Sequence, residues 1–447
     1  MRVMKRNPWL TGLGTVLSLV GMWWGSAQGG VASTNQTASL VAFPKVIADG
    51  TRDTLIQLVN ASSTDNYQVH CAYTNASGRC GTLAGTQVCT TNEDCPTGQT
   101  CVDIRWQEND WDLTLTHQQP TIWRASTGRN PNTGQDTVPG QCTQSMNTVR
   151  QDCPGAFGLL NSNASPAGGD FRGELRCWEV EASLQPIGFN ALEGVAILET
   201  IGTGQISEYN GIGFRAINVD NTDPVLHLDN AEYDVCPASL QLTVYPVGAD
   251  DTIARGFAGA SCPTAGSCPV DTEITIIPCS TDYTPASDPS SSIVQFSGTN
   301  EFEQQLQSQA VPMTCYLSAS LNSPSIGLAY PFSTAANGSL FKLKVRPASG
   351  GHCNGAPAVT CATLGATCPN GNGTCVPNAG ILAVAEEFHT SANSSIVGTA
   401  AFNVDAIGAR GVCAVSGNAC TAASSAACNG GSADVCLIDS ITTVINP

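Results

Sequence analysis

The stretch "YQVHCAYT", Tyr67 to Thr74, sets Tyr67, Val69, Cys71 and Tyr73 on one side of an extended chain and Gln68, His70, Ala72 and Thr74 on the other. Side chains alternate between the two faces of a strand, so a period of two marks a strand with one face buried. "WDLTLTH" repeats the pattern, with Trp111, Leu113 and Leu115 set against Asp112, Thr114 and Thr116. "SLQLTVYP", "TEITIIPCS", "SLFKLKVRP" and "ITTVINP" are rich in β-branched or aromatic residues and end in turn formers. No segment sustains a period near 3.6, and "NEFEQQLQSQ" (Asn300–Gln309) is the ambiguous run. With 45 glycines, 25 prolines and 12% charged residues, the composition suits short strands joined by many turns. The class is all-β.

The chain opens with the basic residues Arg2, Lys5 and Arg6, an uncharged run from Trp9 to Trp24, and the small residues Gly25 and Ala27. These are the three parts of a signal peptide, assigned to residues 1–27 with cleavage after Ala27 and with Ala32 as the alternative. The apolar run is shorter than the roughly 18–20 residues a spanning helix needs. The mature chain is therefore expected to be secreted or held at the cell surface, with no membrane insertion. The formal charge of the full chain, −18, argues against a nucleic-acid partner, which requires basic patches.

Export decides how the cysteines read. All 21 lie beyond the signal peptide, and an oxidising compartment turns thiols into disulfides. Twelve fall into three similar modules: Cys80, Cys89, Cys95 and Cys101; Cys353, Cys361, Cys368 and Cys375; Cys413, Cys420, Cys428 and Cys436. Each spans 22 to 24 residues, is near-evenly spaced and places an aliphatic residue after its last cysteine. Zinc knuckles pair their ligands as C-x2–4-C, and no such pair occurs. A segment this short cannot bury a core, so disulfides within each module must order it. Three connectivities are open to each. Outside the modules, spacing suggests Cys142–Cys153 and Cys262–Cys268, and strand placement suggests Cys71–Cys177. Two of Cys236, Cys279 and Cys315 then pair, leaving one thiol as a buried cysteine or as a bridge for self-association.

A weaker repeat relates the two halves. "GELRCWEVEA" with "GVAILE" aligns with "GILAVAEEFH" and "GTAAFN", matching Gly173 to Gly380 and Glu179 to Glu386. Upstream, "TLIQLVNAS" and "ITIIPCSTD" both read as a strand ending in a polar turn. Two tandem antiparallel β-sandwiches follow, residues 28–225 with an insertion at 80–101 and residues 226–447 with insertions at 353–375 and 413–436. "CTTNEDCPTGQTC" resembles short segments of secreted cysteine-rich modules. The layout of "DTLIQLVNAS…VHC", "QQPTIWRAS" and "AVAEEFH" resembles uncharacterised bacterial secreted proteins with immunoglobulin-like sandwiches. That resemblance implies a fold and no activity.

The chemistry-bearing motifs are few. There is no G-x-S-x-G elbow, H-E-x-x-H, P-loop or dinucleotide fingerprint, and the five histidines are His70, His117, His227, His352 and His389. In "VAEEFH", Glu386 and Glu387 are neighbours on a strand and face opposite ways, so they cannot act as a carboxylate pair. The junction Asn218–Pro237 crowds Asp220, Asp223, Asp229, Glu232 and Asp234. It reads as a solvated acidic linker or as a calcium site of hard oxygens, calcium being the one cofactor the sequence suggests. Trp106, Trp111, Trp123 and Trp178 could stack on sugars if exposed or fill a core if buried. The expected function is that of a non-enzymatic surface, matrix or adhesive protein, with other surface or matrix proteins or glycans as partners. The alternative is a carbohydrate-binding or carbohydrate-active extracellular protein.

Overall fold

The computed structural model describes residues 31–82, 87–89, 95–103, 108–134, 171–219, 226–228, 232–244, 270–279, 291–300, 303, 305, 309–321, 341–391, 396–409, 411–413, 419–420 and 436–438. The signal peptide, Trp106, Cys142, Cys153, Cys262, Cys268, Cys428, Asp220, Asp223 and Asp229 lie outside them. The described chain is all-β, its sheets are antiparallel throughout, and a single turn of 3-10 helix occurs at Pro369–Gly371.

The first half holds β1 (Leu40–Ala48), β2 (Arg52–Asn60), β3 (Tyr67–Asn75), β4 (Glu108–Leu115), β5 (Pro120–Arg124), β6 (Phe171–Val180), β7 (Leu192–Thr200), β8 (Gln205–Asn210) and β9 (Ile212–Phe214). The second half holds β10 (Pro237–Val244), β11 (Val270–Pro278), β12 (Ser291–Asn300), β13 (Gln309–Thr314), β14 (Leu317–Ser320), β15 (Phe341–Pro347), β16 (Ile381–Thr390), β17 (Ile396–Asn403) and β18 (Asp405–Ala409). Strand order in the first half is β9-β1-β6-β3-β4 facing β8-β7-β2-β5. In the second it is β18-β10-β15-β12-β13 facing β17-β16-β11-β14. Counting nine strands on from any strand of the first sandwich gives its counterpart in the second, without exception. The two sandwiches share one topology.

That equivalence corrects the alignment made from sequence. "TLIQLVNAS" and "ITIIPCSTD" are true counterparts, falling on β2 and β11. "GELRCWEVEA", however, is β6, and "GILAVAEEFH" is β16, whose counterpart is β7. The alignment slipped by one strand because Gly173 and Gly380 are glycines for unrelated reasons. A Cβ at Gly173 would fall 2.0 Å from the Thr74 carbonyl, and one at Gly380 would fall 2.7 Å from the Cys236 Cβ.

Each pair of sheets encloses a core. Val69, Cys71, Tyr73, Trp111, Leu113 and Leu115 enter the first beside Phe43, Ile56, Leu58 and Trp123. Trp123 Nε1 donates to Tyr73 Oη at 2.9 Å, which gives both buried polar atoms a partner. Leu242, Ile274, Ile276, Phe296, Val311 and Val345 form the second. Burial of each such side chain contributes about 1.5–3 kcal/mol relative to exposure. A third apolar cluster lies between the sandwiches, where Leu40, Ala42, Trp178 and Phe214 meet Ile277 and Leu382. The junction joins this cluster through Leu226, Leu228 and Tyr233, so its described part is packed and not a solvated linker.

The three cysteine modules are small sheets of one design. The central strand is Gly78–Cys80, Gly351–Cys353 or Gly411–Cys413. In all three the glycine opposes the second cysteine on one side, and the first cysteine opposes the fourth on the other. A Cβ at Gly351 would lie 2.1 Å from the Val376 carbonyl, which fixes glycine at that position. Cys80 bonds Cys95 and Cys89 bonds Cys101; Cys353 bonds Cys368 and Cys361 bonds Cys375. Both described modules thus join first to third and second to fourth. Cys71–Cys177 staples β3 to β6, Cys236–Cys279 ties the end of the junction to β11, and Cys315 is a buried thiol.

Peptide mapping of the non-reduced protein should return these six disulfides. From the backbone register it shares, the third module is expected to show the same alternation, Cys413–Cys428 and Cys420–Cys436. A Cys413–Cys420 peptide would break the common design.

Candidate functional site

The densest constellation of charge in the described structure lies between the sandwiches and starts from an irregular strand. β1 reads "LVAFPKVIA", and proline cannot donate to a ladder, so it is tolerated in a sheet only at an edge or a bulge. The pairing of β1 with β6 slips between Phe43 and Val46, at Pro44-Lys45. The Tyr209 hydroxyl takes over the lost ladder bonds: it accepts from the Lys45 N–H at 3.1 Å and donates to the Lys45 carbonyl at 2.6 Å. A bulge re-aims the side chain it carries. Here that side chain is a lysine with no solvent exposure.

The receiving surface belongs to the second sandwich. β11 and β16 pair so that Ile277 opposes Leu382, Thr275 opposes Val384, Glu273 opposes Glu386 and Asp271 opposes Phe388. The apolar end of this stripe packs into the interface; Val384 even enters the core of the first sandwich. Farther along, two glutamates face each other across neighbouring strands, an arrangement that is destabilising for like charges. Lys45 Nζ lies between them, 2.5 Å from Glu273 Oε1 and 2.8 Å from Glu386 Oε2. Arg52 Nη2 reaches Glu386 Oε1 at 2.5 Å, so two cations balance two anions. Ser207 donates to Glu386 and Ser318 to Glu273, while the Phe388 ring lies 5.9 Å from Lys45 Nζ and 5.6 Å from Arg52 Cζ. Glu386 is fully buried; the Glu273 side chain keeps 30% exposure.

Burial is the largest single influence and opposes ionisation of both glutamates, but the charges of Lys45 and Arg52 and the hydrogen bonds the carboxylates accept together outweigh it. Glu273 is held at about 2, and Glu386 is held below its ordinary 4.5. Burial likewise opposes the charge on Lys45, yet Glu273 and Glu386 keep its pKa above the ordinary 10.5.

Two further contacts join the sandwiches. Arg176, itself buried, donates to the carbonyls of Pro278 at 2.8 Å and Cys279 at 3.3 Å. The edge strands β8 and β17 are clasped by amide side chains: Asn403 Nδ2 donates to the Asn210 carbonyl, Asn403 Oδ1 accepts from the Asn210 N–H, and Gln205 Nε2 donates to the Ile396 carbonyl. Side chains thus stand in for a ladder between two sheet edges.

The residues singled out in the sequence have other occupations. Glu179 does not share the role of Glu386; buried, it accepts from the N–H groups of Phe189, Asn190 and Ala191 and from Ser39, closing a loop within the first sandwich. Glu387 faces away from Glu386, with His389 Nε2 3.9 Å from its carboxylate. His70 bonds Asp112 at 2.7 Å and His352 bonds Asn378 at 3.0 Å, while burial pushes the His352 pKa down. In the acidic junction, Asp234 Oδ2 accepts from the Arg215 N–H and from Gln36, and Glu232 accepts from the His227 N–H. Trp111, Trp123 and Trp178 are 1–3% exposed and belong to cores, closed to sugar stacking. Three sulfurs approach within 4.8 Å in each described module, as metal ligands might be spaced, but they are members of its two disulfides. Sequence reasoning overlooked Lys45 and Arg52; the signal was a proline followed by a lysine inside an otherwise apolar strand. Among known proteins, no family model matches the chain, and no curated protein matches it at a significant level.

Lys45→Ala strands two carboxylates face to face and is expected to cost about 3–5 kcal/mol, the usual penalty for removing one partner of a buried pair. The sign of the pH effect should reverse with it. In the wild type both glutamates have depressed pKa values, so their contribution is present above about 4.5, the ordinary value, and is lost as pH falls toward about 2. In the variant two carboxylates share the single cation Arg52 and take up protons more readily, and its deficit in Tm should shrink between pH 7 and pH 4. A deficit independent of pH would remove Lys45 from between the glutamates.

Proposed function

We propose that the chain is an exported, non-enzymatic surface or matrix protein in which two sandwiches of one topology are joined into a single strut that presents stapled modules. The observation that carries this reading is the insertion of Lys45 from one sandwich between the paired glutamates of the other. A buried, charge-balanced contact opposes independent motion of the two halves, which suits a chain that must hold a shape under load. Six disulfides among the described residues accord with an oxidising destination. No helix among the described residues is long and apolar enough to cross a membrane. The residues most suited to acid–base work, Glu386, Glu179 and His352, are engaged in internal contacts. The modules leave the fold between β3 and β4, between β15 and β16, and after β18, in keeping with insertion into surface connections.

Fractionation of the producing cells tests this reading. The protein should appear in the medium or be removed from intact cells by protease, and its N-terminus should begin at Gln28. A full-length chain starting at Met1 in the cytosolic fraction would overturn it. The purified protein is also expected to leave a panel of glycans, esters and peptides uncleaved.

A further inference from the structure

The outer face of the sheet β8-β7-β2-β5 carries a feature that the strut does not require. Its register sets Ile122, Gln57, Val195 and Asn210 in one row across the four strands, with Val59 and Glu193 paired in the next. In the row on the other side of Gln57, where Arg124 opposes Leu55, Arg124 closes the surface by bonding Glu199 at 2.6 Å and Asp53 at 3.5 Å. At the Gln57 end no described residue closes it in this way. There the chain at Thr34–Gln36 and the corner from β8 into β9 wall a hollow of about 480 Å3.

Glycine makes the hollow. A Cβ at Gly194 would fall 2.5 Å from the Phe43 ring, and one at Gly211 would fall 2.4 Å from Val41. The backbone here lies closer to the core than any residue with a side chain permits, so the surface dips. The side chains of Gln57, Glu193 and Asn210 line it and make no hydrogen bond to another described residue. Val59 and Val195 supply aliphatic walls between them.

We propose that this hollow binds a neutral, hydroxyl-rich ligand, the terminal one or two sugars of a glycan. Planar amide and carboxylate groups can donate to and accept from vicinal hydroxyls, and the two valines offer an apolar surface for the C–H face of a pyranose. The volume lies within the range of small-molecule sites. A phosphate or sulfate is disfavoured by Glu193 and by the lack of a cation among the lining residues. A metal ion would find one carboxylate where hard cations take several oxygens. Without an aromatic platform the affinity should be modest, in the micromolar to millimolar range, suited to a protein displayed in many copies. The inference rests on the surface-protein reading and gives its adhesive form a ligand class.

The full mature chain, applied to an array of neutral mono- and oligosaccharides and then titrated with its best ligand by calorimetry, should show saturable binding. Gln57→Ala and Glu193→Ala should each weaken it at least tenfold; Glu193 is exposed, so its variant should melt as the wild type does. Arg346→Ala, on the second sandwich, should bind unchanged. No saturable binding to any sugar, or full binding by both hollow variants, overturns the site. Neither result touches the export reading, which is decided separately by the N-terminus and by fractionation.

Discussion

The fold of the whole chain turns on one lysine. Glu273 and Glu386 oppose each other on adjacent strands of the second sandwich, and Lys45 is carried into the interior by a bulge of the first. Docking takes these charges out of water, a cost that must be met by partners for each of them. The contact supplies those partners. Replacement of the whole cluster by well-packed aliphatic residues could be as stable, since desolvation of four ionic groups offsets much of their attraction. What the charges supply is register: only one placement of β1 against β11 and β16 puts Lys45 between its two acceptors.

The apolar contacts around it are less selective and do most of the holding. Val384 fills the first core, Ile277 and Leu382 meet Leu40 and Trp178, and the clasp of Asn210 with Asn403 secures the edges. Unpaired sheet edges invite association with other chains. Here two such edges cover each other through amide side chains, which bond without needing the two strands to be in hydrogen-bonding register.

The alternation in "YQVHCAYT" and "WDLTLTH" made the strands legible, and the even spacing of twelve cysteines made the modules legible. Both are local patterns. The tandem arrangement was visible, but its alignment slipped by one strand, since amphipathic strands resemble one another more than their positions in a topology differ. The match of Glu386 to Glu179 does not hold, and the cations that pair with Glu386 lie more than 300 residues away in the chain. Lys45 and Arg52 were missed for the same reason: a long-range ion pair leaves no periodicity. The acidic junction misled in its described half because Glu232 and Asp234 bond backbone amides, a use of carboxylates that composition cannot distinguish from solvation. The hollow was beyond reach, being defined by four segments distant in sequence.

The alternating pairing within the cysteine modules has a consequence for survival outside the cell. The loop closed by Cys80–Cys95 overlaps the loop closed by Cys89–Cys101. A single cut in the backbone anywhere between Cys80 and Cys101 therefore falls inside at least one closed loop, and the two fragments stay covalently joined. The first module is also enclosed by Cys71–Cys177, which ties its fragments a second time. From Cys353 to Cys375 the two loops overlap in the same way, and there the alternation matters most: with nearest-neighbour pairing, no described disulfide would bridge a cut between Cys361 and Cys368. Exposed segments are where extracellular proteases strike first, and this chain can be nicked in either module without coming apart.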